Sequence, residues 1–287
     1  MLWFRHQLKK KEVWISLSVL SLLLLYAMGL MSLLIWLSLT GRIGGNSADI
    51  IVANKYTPPV TEPLIGQQPN EEALSREGLV RTKFVETPFT IDADLEGWAE
   101  LNTTSSAYQV YAADSWDGTN DGAAFWRTAW DDDYFYVSAI VVDDVHVQGA
   151  ESAVYRGDVL ELQIDTNVDA DRISPRTFTL VLSPGDFDTI PAFAACLRGT
   201  TTGKMRAIAQ HSTKIAVIKT ETGYVLEAAI PWGDLGAKPS ASWKARIALS
   251  LHDTDSAEHL RAEIIQSSVT ERHAEKPESW GILLLTD

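Results

Sequence analysis

The residues best spaced for chemistry lie in the stretch 157–171, which reads GDVLELQIDTNVDAD. Its second half carries an oxygen-bearing side chain at every other residue: Asp165, Asn167, Asp169 and Asp171. Hard cations such as calcium need several oxygens at once, and a turn brings alternate side chains together, so this ladder could hold a structural Ca2+ ion. It is not an EF-hand. Counted from Asp165, the sixth position is Ala170 where that loop needs glycine, and the twelfth is Arg176 where it needs glutamate. The competing reading is a solvated turn, since Asp and Asn favour tight turns without any ion. No motif in the chain requires a cofactor.

Catalytic patterns are missing. No G-x-S-x-G, H-E-x-x-H, Walker loop or C-x-x-C occurs. Carboxylates are abundant, but abundance without a motif is the mark of an acidic surface, and the chain is expected not to be an enzyme. Cys196 is the single cysteine, which excludes an intrachain disulfide and a cysteine-based zinc site.

The elements that must position these side chains are strands. Leu160, Leu162 and Ile164 fall on one face of the first half of the stretch, and Glu161, Gln163 and Asp165 on the other. That period of two marks a half-buried strand. Residues 223–232, GYVLEAAIPW, repeat the logic. Residues 124–130 and 134–142 alternate on either side of Asp131-Asp132-Asp133, and residues 213–219 and 224–230 flank a second tight turn, so each pair predicts a hairpin. Further short strands are expected at 107–113, 177–182, 245–251, 261–266 and 282–285. Many short strands with almost no helical periodicity predict an all-β, antiparallel β-sandwich of immunoglobulin or jelly-roll type.

The N-terminal part is of another kind. Residues 1–12 are basic, and residues 13–39 contain no charged side chain. Such a run spans roughly 40 Å as a helix, enough to cross a bilayer. The basic cluster before it predicts a cytoplasmic N-terminus, a single transmembrane α-helix in the cell (inner or cytoplasmic) membrane, and a periplasmic or extracellular main domain. Ser18, Gly29 and Ser32 are small residues through which another helix could approach. Residues 40–80 are rich in Gly and Pro and read as an extended arm, and residues 81–287 as the folded domain. The chain carries a net charge of −14. Without residues 1–12 it has 20 basic against 37 acidic side chains, a net of −17. That balance repels phosphate backbones and excludes nucleic acid as a partner, while it would attract a basic soluble protein.

Several motifs in order resemble the family-9 carbohydrate-binding module: Ile91-Asp92 through Trp98, the run from Trp130 to Val137, Asp143-Asp144, the stretch from Gly157 to Asp165, residues 223–232, and Trp280-Gly281 before the last strand. The resemblance implies a β-sandwich over residues 81–287 and a sugar clamped between two aromatic rings. It places Tyr155 where the first ring stands and Glu161 at an acidic sugar contact. The second ring is expected within residues 266–273, which hold no aromatic, and an arginine expected on the strand after the acidic turn is replaced by Thr179. Trp116 or Trp126 could build a different clamp, with the competing reading that Trp126 belongs to the core. Relatives of this fold that bind haem use Met and His ligands, for which Met205, His146, His211 and His252 are the groups at hand.

Two functions of different class follow. In the first, the chain is a non-catalytic accessory subunit of an integral membrane complex, of bioenergetic type, docking on other membrane subunits through helix, arm and sandwich. In the second, it is a membrane-anchored carbohydrate-binding protein of the cell envelope with a polysaccharide partner. A haem-binding sandwich is the third.

Overall fold

The computed structural model describes residues 78–112, 118–149, 155, 157–256, 262 and 264–287. The basic N-terminus, the run 13–39 with Ser18, Gly29 and Ser32, the arm to residue 77, and Trp116 lie outside the described residues. Among the described residues no helix is long and apolar enough to cross a membrane.

Alternating sequences become strands because one face of each can be buried. Among the described residues fourteen strands form: β1 (Leu79–Phe84), β2 (Thr103–Ser105), β3 (Tyr108–Ala112), β4 (Gly122–Trp130), β5 (Tyr134–Asp143), β6 (Val159–Asp165), β7 (Thr177–Ser183), β8 (Phe193–Gly199), β9 (Met205–Ile208), β10 (Lys214–Thr220), β11 (Gly223–Pro231), β12 (Lys244–Asp253), β13 (Ile264–Ser267) and β14 (Gly281–Thr286). One 3-10 turn, Pro277–Ser279, precedes the last strand.

The all-β expectation holds, and the connectivity corrects its detail. Hydrogen bonds run through one continuous path, β10-β11-β5-β4-β1-β14-β12-β6-β7-β8-β9, with β13 joining β12 to β3 and β2 on β4. β1 pairs parallel with both β4 and β14, so the sheet is mixed at the point where its two halves join. The halves enclose one core. Trp126, Phe135, Val137 and Leu226 on β4, β5 and β11 share it with Leu160, Leu162, Leu180 and Leu249 on β6, β7 and β12. Trp126 is fully buried, and its indole N–H donates to Ser106 Oγ at 2.8 Å, which itself donates to the Leu249 carbonyl at 2.9 Å. This chain of two bonds ties one half of the sheet to the other.

Both outer faces are partly covered. On β4, β5 and β11 the cover comes from residues before β2: Ile91, Ala93 and Trp98 pack with Tyr136 and Ala229, and Phe89 stacks on Trp98 with ring centres 4.3 Å apart. Glu227, wholly buried on β11, anchors this cover by accepting from the backbone N–H groups of Asp92 at 3.0 Å and Ala93 at 2.7 Å. On the other half, Val269 and Trp280 pack with Ile173 and Ala248. The β10–β11 turn needs a glycine. Gly223 has φ +141°, and a Cβ there would meet the Val141 carbonyl oxygen at 2.2 Å.

Candidate functional site

Alternation on β6 sends Leu160, Leu162 and Ile164 inward and leaves Glu161 and Gln163 on the opposite face. The antiparallel register extends that face sideways. Ser250 pairs with Glu161 and His252 with Val159 on β12, Ile265 on β13 pairs with His252, and Tyr111 on β3 pairs with Ile265. Directly paired residues point to the same side, so Glu161, His252, Ile265 and Tyr111 share one surface.

Glu161 is the hub. Its Oε2 accepts from the Tyr155 hydroxyl at 2.9 Å. Its Oε1 accepts from Arg272 Nη2 and lies 3.6 Å from His252 Nε2, an ionic distance longer than a hydrogen bond. Arg272 Nε also donates to Gln163 Oε1 at 2.9 Å, and Gln163 Nε2 donates to the Ala274 carbonyl at 3.1 Å. Burial pushes the Glu161 carboxyl up, but His252 and Arg272 outweigh it and bring its pKa down to about 2. The carboxylate is therefore charged at any ordinary pH. Burial and then Glu161 push the Tyr155 phenol well above its ordinary range, so Tyr155 stays a donor.

Exposure separates what holds the site from what it presents. Glu161 is 5 % exposed, whereas Tyr155 is 37 % and Tyr111 52 % exposed. The Tyr155 and His252 rings lie 5.6 Å apart at 50°. The result is a rigid, hydrogen-bonded base beneath aromatic faces that water can reach. An open groove of about 400 Å³, lined by Ala107, Tyr108, Gln109 and Thr270, runs along β3 beside the segment that carries Arg272. A second concavity of about 330 Å³, lined by residues that include Arg176, Arg198 and Trp243, touches none of these groups.

The structure thus brings Tyr155 and Glu161 together. It removes Trp126 from the candidate clamp, because a ring with no exposed face cannot stack on a sugar. The guanidinium sought at Thr179 comes instead from Arg272. Thr179 pairs with Gln163 across β6 and β7, while Arg272 reaches the same Gln163 from the loop after β13. Arg272 lies within residues 266–273, so its presence was legible and its target was not. Tyr111 was missed altogether. Its only signal was an aromatic residue at the end of a short strand.

The oxygen ladder forms a turn. Asp165 is buried, its Oδ2 accepts from the Thr177 hydroxyl at 2.5 Å, and its Oδ1 accepts from the Asn167 N–H at 2.9 Å. Asn167 Oδ1 accepts from the Asp169 N–H at 3.4 Å, and Asp171 is exposed beside Arg172. The Asp165 and Asn167 oxygens thus shape a turn. Among the described residues, groups of three or more acidic or imidazole side chains close enough to share an ion lie elsewhere, at Asp143, His146 and Asp158, and at Asp121, Asp253 and Asp255.

The haem candidates are engaged in separate places. His146 Nδ1 lies 2.9 Å from Asp158 and 3.2 Å from Asp143, and its Nε2 lies 2.7 Å from the Gly185 carbonyl. His252 belongs to the Glu161 network, and Met205 packs on the cluster of Ile173, Ala248, Val269 and Trp280. Burial lowers the pKa of His211.

A family model described as carbohydrate family 9 binding domain-like matches residues 91–287. No curated protein matches the chain. Among solved structures the chain is similar to a carbohydrate binding module family 9 (CBM9) from Caldicellulosiruptor kristjanssonii in complex with cellotriose, with TM-score 0.53 and 17 % identity over 72 % of this chain and 93 % of that one. The same organism's module in complex with glucose gives TM-score 0.51 and 18 % identity over 72 % and 95 %. A putative carbohydrate-binding protein from Bacteroides uniformis gives TM-score 0.50 and 12 % identity over 72 % and 98 %. At these identities the likeness establishes the fold.

Proposed function

The chain belongs to the carbohydrate family 9 binding domain-like family, and from that premise we propose that it is a carbohydrate-binding protein whose site is the surface built around Glu161. One observation carries the reading: an exposed Tyr155 ring whose hydroxyl is fixed on a buried, permanently charged carboxylate. Sugar C–H faces pack on aromatic rings, and hydroxyls need donors and acceptors fixed in advance. Tyr155 and His252 supply the first, and Glu161, Gln163 and Arg272 hold the second. The similar structures bind cellotriose and glucose, which makes β-glucans the first ligands to try. The role is binding, without catalysis.

Residues 13–39 would tether the domain to the membrane with its sugar site outside the cytoplasm. Protease added to the outside of cells with a permeable envelope is expected to remove the domain and spare an N-terminal tag. No feature of the described residues favours docking in a bioenergetic complex, and carbohydrate binding takes first place over the accessory-subunit reading.

Titration of the purified full-length chain with glucose and cellotriose tests the proposal. Tyr155→Ala is expected to weaken both by about tenfold or more, equivalent to at least ~1.4 kcal/mol, with a modestly lowered melting temperature because the buried Glu161 carboxylate loses a donor. Tyr111 sits two strands from β12, about 10 Å away across the sheet. Tyr111→Ala should therefore weaken cellotriose more than glucose. Absence of binding to any soluble or insoluble β-glucan, or full binding by Tyr155→Ala, would overturn the assignment.

A further inference from the structure

We propose that one open end of the curled sheet holds a second binding site, for an anionic sugar unit, built from Arg176, Arg198, Lys238 and Trp243. All four line the concavity of about 330 Å³ that lies away from the Glu161 network. Its volume is at the small end of ligand pockets, roughly 300–1,000 Å³, and suits a single sugar ring. Thr166, also on its wall, lies five residues beyond Glu161, roughly 17 Å along the strand.

The fold gathers the cations from separate elements. Arg198 on β8 pairs directly with Phe178 on β7, whose ring belongs to the core, so Arg198 stands on the core side where the sheet ends. Arg176, two residues before Phe178, continues that side. Lys238 and Trp243 come from the connection between β11 and β12, whose Leu235, Ala237 and Trp243 pack on the same core.

The charge of this concavity is opposite to that of the protein. Acidic side chains outnumber basic ones by 38 to 24 in the chain, yet none lines the concavity. Arg176, Arg198 and Lys238 make no ion pair among the described residues. The acidic neighbours in sequence are engaged: Asp165 by Thr177 and Asn167, and Asp234 by the Ser212 N–H at 2.6 Å. Three like charges on one small wall repel each other, and a bound anion relieves that.

Arg198 is already oriented for such an anion. Its Nε donates to the Pro175 carbonyl at 2.8 Å, and its Cζ lies 5.3 Å from the Phe178 ring centre. Both terminal nitrogens of the guanidinium are left without a partner among the described residues, in the fork that takes two oxygens of a carboxylate or phosphate. Trp243 supplies the apolar face. It is half-buried and stands edge-on to Trp232 with ring centres 5.7 Å apart. Its N–H donates to the Ser240 carbonyl at 3.0 Å, and its carbonyl accepts from the Leu285 N–H at 3.0 Å. Ser242 before it has φ +69°, held by its N–H on the Leu285 carbonyl at 2.8 Å. A residue other than glycine keeps that conformation only where its surroundings fix it, so the indole is in place before a ligand arrives. An aromatic face beside fixed cations suits a charged sugar better than a bare ion.

The site does not depend on the Glu161 reading, and the test separates the two. The purified full-length chain is titrated by calorimetry with glucuronate, glucose 6-phosphate, glucose and acetate. Both anionic sugars are expected to bind the wild type, more weakly as salt is raised. Acetate should bind about tenfold more weakly than glucuronate, or less. Arg198→Ala, at an exposed position, should weaken both anionic sugars by about tenfold or more and leave glucose unaffected. Arg198→Lys should recover only part, because an ammonium lacks the fork. Tyr155→Ala should do the reverse, losing glucose and keeping the anionic sugars. Binding of either anionic sugar with this pattern supports the site, and the tighter of the two identifies its anion. Failure of both to bind, undiminished binding in Arg198→Ala, their loss in Tyr155→Ala, or acetate binding as tightly as glucuronate would overturn it.

Discussion

Arg272→Ala is expected to abolish sugar binding and to destabilise the domain by about 3–5 kcal/mol, the cost of breaking a buried pair by removing one partner. The side chains of Arg272 and Glu161 are only 5 % and 7 % exposed. Without the guanidinium, Glu161 keeps the Tyr155 hydroxyl and the more distant His252, but it loses its one charged hydrogen bond in the described residues. Gln163 Oε1 loses its donor in the same step. The loop from β13 to β14 loses one tie to β6 and keeps the bond from Gln163 Nε2 to the Ala274 carbonyl, and Tyr155 loses the fixed base that orients it. Glu161→Gln combined with Arg272→Ala should recover much of the stability, because no buried charge is then left alone, while binding stays lost. Urea melts and sugar titrations of the two variants check this. A single variant as stable as the wild type would mean that Glu161 reaches water or another partner, and the network described here would be wrong.

How much of this site the sequence reveals depends on the range of the interaction. The face of β6 was legible because alternation is local: Leu160, Leu162 and Ile164 must go in together, and Glu161 and Gln163 must then come out. Glu161 and Tyr155 followed from their place on and just before that strand. Arg272 and Tyr111 were not legible as site residues, because they reach the same surface through pairings with strands more than a hundred residues away. β1 was not read as a strand, and its first two residues fell in the arm, since its partners on either side, β4 and β14, are remote and parallel. β8 and β9 were also missed, since both lie toward the edge of the sheet and their mixed burial blurs the alternation. The acidic ladder shows how local bonding competes with an ion. The even spacing from Asp165 to Asp171 suggested an ion, but short Asp and Asn side chains bond first to the backbone two residues on. The unpartnered carboxylate, Asp253, sits in an unremarkable LHDTD, and only the fold shows that it is buried.

Glu227→Gln is expected to flatten part of the pH dependence of stability. Burial raises the Glu227 carboxyl from 4.5 to about 7, with the nearby Asp92 adding to the rise, while the N–H groups of Ala93 and Asp92 hold it down. The folded protein thus keeps a proton that the unfolded chain releases across that interval. Stability from this group is complete below 4.5 and is lost as pH rises through about 7, where burying the charge must be met in full. A shift of this size is worth about 3 kcal/mol. Glutamine has no proton to lose, and its amide oxygen can accept from the same two N–H groups, so the fold of residues 91–98 over the outer sheet should survive. Between pH 4.5 and 8 the variant should gain on the wild type by about 3 kcal/mol. The gain should level off above the folded pKa, which a difference between two urea-melt series isolates from every other titrating group. A difference that stays flat across this range would show that Glu227 is ionised in the fold throughout, held by the two backbone donors alone. A variant much weaker at every pH would show that the amide cannot replace the carboxylate in holding Ala93, whose φ of 66° needs an outside restraint.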